Sequence, residues 1–427
     1  MDNMVLKALS VENFASFANR MEFTTEIDVS KKENMHNTFE SHDSTFNRVS
    51  FIYGANGAGK TCFCKAVLEI QRLLDLAPLI TIENKRLLEL PHFKGINSAV
   101  KTFAFDVDYQ NQPTTFVIEI QISDTMYHYE FSIRGTEITY ELLTKKRRRT
   151  EKLLERISSD YKDITLHSEL KDFDGAKHTV KNEALCLPVA ALLNNQLAIK
   201  IVNAIKSISV VNMTSAKLNP TNSKDSFSPE RVKKYIHILH RADPTIRDME
   251  ISFAEEEIAR QKIENDDFEN RSIITTRMRV GVKTNHALYE NGKETNLTSI
   301  PFFGDESLGT VKLFTALPYL YDVLETGGVL VIDEIENGLH LSLAREIVDL
   351  FTSDISNPHH AQLICTSHQP LLLDGDFRRD QVWIANKDKF GKSKLHRMSE
   401  LKTARAQINL SKRILEGAFG CNPDKFF

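Results

Sequence analysis

The spacing of apolar residues changes period several times along the chain, and each change marks an element. Residues 6–17 alternate loosely, as do 21–23; a polar, turn-rich stretch over 30–47 follows, and then comes the apolar run Val49-Ser50-Phe51-Ile52-Tyr53. This order predicts strand, loop and buried strand, because alternation fits a half-buried strand and an unbroken apolar run fits one covered on both faces. Beyond a glycine-rich turn, Phe63, Val67, Ile70 and Leu74 recur at helical spacing within 62–76, which predicts a helix packed on a sheet.

Between 102 and 143 the period falls to two in the runs 102–109, 115–122, 127–133 and 137–142, separated by turn residues such as Asn111-Gln112-Pro113 and Arg134-Gly135. An antiparallel meander is expected there. Helical patterns dominate from Glu151 to about His240, including 185–202, with loops at 219–223 and at Ser228-Pro229. A strand over 273–282 leads to the turn Glu290-Asn291-Gly292, and from Ile300 helix and strand signals alternate again. The expected fold class is α/β, with one domain split into halves over 1–150 and 271–427 around a mostly helical insertion over 151–270.

Composition narrows the setting. A chain of 427 residues needs no staples to hold a core, and its five cysteines (Cys62, Cys64, Cys186, Cys365, Cys421) are scattered without zinc-ligand spacing. This predicts a reducing compartment and no structural metal. Charged residues make up 26% and hydrophobic ones 41%, no stretch reaches the roughly 20 apolar residues of a membrane span, and Met1-Asp2-Asn3 opens no leader pattern, so the cytoplasm is expected. A net charge of −4 argues against a wholly nucleic-acid-coating surface and leaves room for a local basic groove.

Four motifs carry chemistry. Gly54-Ala55-Asn56-Gly57-Ala58-Gly59-Lys60-Thr61 fits G-x-x-x-x-G-K-[ST] between a predicted strand and a predicted helix, the context that phosphate binding requires. Backbone amides of Asn56, Gly57, Ala58, Gly59 and Cys62 would close round phosphate oxygens at the positive helix N-terminus, Lys60 would neutralise the β- and γ-phosphates of ATP, and the Thr61 hydroxyl would ligate Mg²⁺. The run Val329-Leu330-Val331-Ile332 ends in Asp333-Glu334. At the carboxyl end of a parallel strand, Asp333 would hold the Mg²⁺ shell and Glu334 would polarise an attacking water. Thr366-Ser367-His368 closes a second apolar run, which places His368 for a bond to the γ-phosphate or the water. Finally, Glu306-Ser307-Leu308-Gly309-Thr310 opens a helix with Ser307 as N-cap, and Pro318 should bend that helix.

In this order the four elements resemble ABC-type ATPases of the SMC, Rad50 and RecF kind. The resemblance implies that Ser307 and Gly309 contact the γ-phosphate of a second subunit, that Glu334 is the catalytic base, that residues 336–340 form a subunit-communication loop, and that ATP joins two copies. Val11-Glu12-Asn13-Phe14-Ala15-Ser16-Phe17, Arg379-Asp380-Gln381-Val382-Trp383 and Ile414-Leu415-Glu416-Gly417-Ala418-Phe419-Gly420 resemble the AAA15/AAA21 group, which includes RloA-like proteins and the AriA-type ATPase of PARIS in bacterial anti-phage defence. That likeness implies an effector partner, often a Toprim-type nuclease, and a phage trigger. The alternative is a RecF-like repair ATPase acting on DNA. Glu-Ser-Leu-Gly-Thr departs from the transporter signature Leu-Ser-Gly-Gly-Gln, and no glutamine is assignable to the usual Q-loop. The basic run Lys145-Lys146-Arg147-Arg148-Arg149 fits phosphate, an acidic protein surface or a solvated turn, and no aromatic residue interleaves it for base stacking.

Overall fold

The computed structural model describes residues 4–30, 33–82, 98–215, 224–262, 272–401 and 410–415. The loop expected at 219–223, Cys421 and most of the run 414–420 lie outside them. The chain forms two compact units, one of residues 1–212, 323–336 and 344–427, the other of 213–322 and 337–343.

The first unit opens with β1 (Met4–Glu12) and β2 (Met21–Thr24), a small hairpin of β3 (Thr38–Ser41) and β4 (Ser44–Asn47), then β5 (Val49–Tyr53) and α1 (Lys60–Thr81). Strands β6 (Thr114–Ile122), β7 (Thr125–Arg134), β8 (Glu137–Lys146), β9 (Thr150–Arg156) and β10 (Ile164–Leu166) precede α2 (Cys186–Leu192), α3 (Gln196–Lys206) and β11 (Ser209–Asn212). The second unit holds α4 (Pro229–Ala242), β12 (Ile246–Lys262), β13 (Ser272–Glu290), β14 (Lys293–Pro301) and most of α5 (Leu308–Thr326). Then follow β15 (Val329–Asp333), α6 (Leu341–Thr352), β16 (Gln362–Ser367), β17 (Val382–Lys387) and β18 (Ser393–Arg397).

Two sheets organise the first unit. One has the order β10-β9-β8-β7-β6-β1-β2 and is antiparallel throughout. The other has the order β11-β15-β16-β5-β17-β18, parallel except for the last strand. Every residue of β5 and β15 is buried, as a parallel strand covered on both faces requires. Phe63, Val67, Ile70 and Leu74 of α1 enter one core with both sheets. Each such side chain contributes about 1.5–3 kcal/mol by leaving water. Arg378 and Asp380 form an ion pair with no solvent exposure, and Gln381 Nε2 donates to the Val49 carbonyl at 2.9 Å. The run 378–383 thus fastens β17 beside the start of β5.

Several expectations change. Residues 102–106 form no strand, and Val107–Gln110 makes one helical turn, with Asp106 Oδ1 accepting from the Asp108 amide at 3.2 Å. The stretch from Glu151 begins as β9, not a helix, because pairing with β8 overrides the helix propensity of Glu-Lys-Leu-Leu-Glu. The basic run therefore turns between two strands, with Lys145 bound to Glu151 and Glu169, and Arg147 to Asp124. The patterned run 185–202 is two helices, α2 and α3, parted at Asn195, which caps α3 by accepting from the Ala198 amide. The polar stretch 30–47 contains the β3–β4 hairpin, and α5 runs through Pro318. In the second unit, β12 and β13 pair over 246–262 and 272–286 as a long antiparallel ladder.

One polar cluster in the antiparallel sheet gives a pH prediction. His128 lies 3.0 Å from Glu119 and 3.3 Å from Glu130, and Lys7 reaches the same Glu119 at 3.4 Å. The bonds to Glu119 and then Glu130 raise the imidazole from 6.5 to about 9. A raised folded-state value means stabilisation fully present below the unfolded pKa and lost as pH climbs through the folded one. Between about pH 7 and about pH 9.5 the wild-type melting temperature should therefore fall more steeply than that of His128→Gln. Parallel melting curves across that window would remove the pair as a source of stability.

Candidate functional site

The strands β11, β15, β16 and β5 are parallel, and their carboxyl ends lie side by side: Asn212 pairs with Asp333, Ile332 with Cys365, and Ser367 with Tyr53. That edge is where open α/β sheets bind ligands. The loop Gly54–Thr61 leaves β5 there and enters α1. Gly57 and Gly59 have φ of 78° and 107°, a region that favours glycine. A Cβ on Gly59 would lie 2.5 Å from Ser393 Oγ and 2.9 Å from Ser16 Oγ, so the loop is also pinned by close approach. Asn56 and Gly57 are exposed at its tip, whereas Ala58, Gly59 and Lys60 are buried.

Lys60 folds back on the loop, its Nζ donating to the carbonyls of Gly54 at 2.7 Å and Ala55 at 2.9 Å. Burial lowers its pKa, opposed by the charges of Glu334, Glu336 and Asp333. The ammonium thus faces three carboxylates across the strand ends.

Asp333 is buried and triply held. Its Oδ1 accepts from Thr366 Oγ1 at 2.7 Å and from Thr61 Oγ1 at 3.3 Å, and its Oδ2 accepts from Asn212 Nδ2 at 3.1 Å. Glu334 follows with φ of 55°, an uncommon conformation for a side chain with a Cβ. Thr366 holds that turn twice: its Oγ1 accepts from the Glu334 amide at 2.8 Å, and its carbonyl from the Ile335 amide at 3.2 Å. The kink takes Glu334 off the strand line. Cys64 is fully buried, and burial followed by the neighbouring Asp333 charge raises its thiol well above the usual range, which makes it a packing residue and not a nucleophile.

His368 lies just past β16. Its Nδ1 is 2.8 Å from Glu336 Oε1, its amide donates to the same oxygen at 2.7 Å, and its carbonyl accepts from Tyr53 OH at 3.1 Å. Glu336 thereby fixes the ring through Nδ1.

Ser307 and Gly309 belong to the second unit. Ser307 Oγ caps α5 by accepting from the Thr310 amide at 3.1 Å. Glu306 Oε1 accepts from Thr284 Oγ1 and lies 2.7 Å from His286 Nε2, so β13 anchors the residue that precedes the cap. A Cβ on Gly309 would come 2.4 Å from the Gly338 carbonyl, and Lys312 Nζ donates to Asn337 Oδ1. Glycine at 309 is thus required where the start of α5 meets the 337–340 loop, whatever else it touches.

Three contributors escaped sequence reasoning. Asn212 ends a short strand hidden in a region read as helical; its only sequence signal is the three apolar residues Ile208, Val210 and Val211 closing on an amide. Thr366, within a noted motif, binds Asp333 and shapes the Glu334 turn. Ser16 sits in a loop braced by Asn13, whose side-chain amide donates to the Tyr109 and Gln112 carbonyls at 2.8 and 3.0 Å. Its Oγ donates to Cys62 Sγ at 3.3 Å, beside the loop.

The donor set fits Mg²⁺. Thr61 Oγ1 and Asp333 Oδ1 are hard oxygens within 3.3 Å of each other at a helix N-terminus. A phosphate-bound Mg²⁺ takes one or two such protein oxygens and fills its shell with phosphate and water. Among the described residues no group of three or more His, Cys, Asp or Glu side chains is placed to cage a metal.

A strand, phosphate loop and helix on a parallel sheet, with an acidic end two strands away, define an α/β fold of the ABC-type P-loop ATPase class. Residues 213–374 match the family model AAA_21, described as "AAA domain, putative AbiEii toxin, Type IV TA system". No curated protein matches. Among solved structures, the SMC head domain from Thermotoga maritima is similar over 92% of this chain and 98% of that chain, at 11% identity and a TM-score of 0.35. No helix among the described residues is long and apolar enough to cross a membrane.

Proposed function

We propose that this chain binds and hydrolyses Mg-ATP, assembles on ATP, and controls a partner effector, a nuclease of Toprim type, in anti-phage defence. The observation that carries the ATPase reading is Asp333, buried and fixed by Thr61, Thr366 and Asn212 beside the phosphate loop. Thr61 and Asp333 would hold Mg²⁺, which when bound would supply positive charge to offset that of the phosphates. Lys60 would exchange its two loop carbonyls for phosphate oxygens. Glu334 would accept the proton of the attacking water, while His368, oriented by Glu336, would hold the water or the γ-phosphate. Ser307 and Gly309 of a second copy would complete the site. The defence reading is supported by the sequence motifs at 11–17 and 379–383 and by the description of the matched family, which names a toxin–antitoxin system.

The native mass of Glu334→Gln, measured with and without Mg-ATP and with the products of neighbouring genes co-expressed, tests the assembly. A rise in mass on ATP with a neighbour retained is the expected result. A protein that stays monomeric and associates only when DNA is added would sink the effector reading in favour of a RecF-like role on DNA.

A further inference from the structure

The phosphate loop accounts for the triphosphate and leaves the nucleoside without a partner. Loop amides cradle the α- and β-phosphates, so the nucleoside leaves near the Thr61–Cys62 turn. Three segments meet on that side. Ser16 reaches Cys62, the Ser393 amide donates to the Ser16 carbonyl at 2.8 Å, and the Ala15 amide donates to the Lys101 carbonyl at 2.9 Å. The chain from Lys101 and the turn before Ser393 then form the walls of an open groove of about 880 Å³.

Its apolar lining is unusually exposed. Phe105, Val107 and Phe390 have 74%, 74% and 63% of their surface in solvent, a clustering that marks binding surfaces. The platform is nonetheless firm. Phe105 meets the buried Phe103 edge-on at 5.7 Å, and its ring lies against Gly391, where a Cβ would approach to 2.8 Å. Lys392, held by Asp106 at 3.0 Å, lies over the Tyr109 ring at 4.6 Å and locks the two walls together. Ser393 follows the groove-lining Lys392 in the chain, and its Oγ is buried beside Gly59 with no hydrogen-bond partner among the described residues, a hydroxyl suited to a ligand oxygen.

We propose that the base of the bound nucleotide stacks on Phe105 and Phe390 in this groove, with Ser393 Oγ meeting the sugar or α-phosphate. This rests on the ATP-binding reading of the same loop. Flat exposed rings on a turn that also touches the phosphate loop through Ser393 suit a base, and stacking on an aromatic ring is strong enough for its loss to be read in affinity.

The test is calorimetric titration of the full chain with Mg-ATP and, separately, with Mg-tripolyphosphate, which has no base. Phe105→Ala and Phe390→Ala should each weaken ATP about tenfold, within the range for a lost stack, and leave tripolyphosphate unchanged, while Phe105→Tyr keeps wild-type affinity. Unchanged ATP affinity in both alanine variants overturns the proposal, as does an equal loss for the two ligands. A wild-type chain that binds neither ligand overturns the ATP-binding reading itself.

Discussion

Lys60→Ala is expected to weaken Mg-ATP binding by about 100-fold or more while leaving the fold in place, measured by equilibrium titration beside a thermal melt. A charge-assisted hydrogen bond to phosphate is among the stronger contacts a protein makes, and removing one partner of a desolvated charge pair typically costs 2–5 kcal/mol. The site amplifies the loss. Asp333, Glu334 and Glu336 all act on the Lys60 ammonium, so its removal leaves three carboxylates facing the incoming triphosphate without that offsetting charge. The Gly54 and Ala55 carbonyls also lose their shared donor, but both belong to a loop whose glycines and packing against Ser393 and Ala385 are untouched. ATP affinity within a factor of three of wild type, in a variant that melts normally, would remove Lys60 from the site.

Local chemistry was the legible part of this chain. The octapeptide 54–61 announces a loop in which Gly57 and Gly59 take positive φ and whose lysine folds inward, because those requirements are written in residue type at fixed spacing. The same holds for β5 and β15, whose apolar runs leave no alternative to full burial. Pairing was not legible in the same way. Glu151 to Arg156 and the Glu-rich β12 carry good helix formers, yet both are extended, because the strand adjacent in sequence supplies the ladder. Asn212 was hidden for a related reason. A four-residue strand is too short for periodicity to register, and its importance comes from lying next to β15, which sits more than a hundred residues later. The groove at Phe105 was read as a strand, since its apolar residues alternate; nothing in that alternation shows that the rings face solvent beside the phosphate loop.

Glu334→Gln is expected to bind Mg-ATP with near wild-type affinity and to lose about 100- to 10,000-fold in turnover, the span over which a positioned general base acts. The geometry separates this residue from its neighbour. Asp333 has both carboxylate oxygens engaged by Thr61, Thr366 and Asn212, which suits a fixed ligand and not a proton acceptor. Glu334 instead sits at φ of 55°, a conformation that costs energy and is held in place by the two bonds from Thr366. Strain retained next to a phosphate loop is understandable if the turn aims a carboxylate at the γ-phosphate side of the site. Glutamine preserves the size and shape of the side chain but removes its charge and basicity, so binding and turnover should part. Thr366→Val should also lower turnover although the glutamate remains, because the lost Oγ1 holds both the Glu334 turn and Asp333. Turnover of Glu334→Gln equal to wild type, at saturating Mg-ATP, would show that the proton goes elsewhere and leave the kink at 334 without a catalytic explanation.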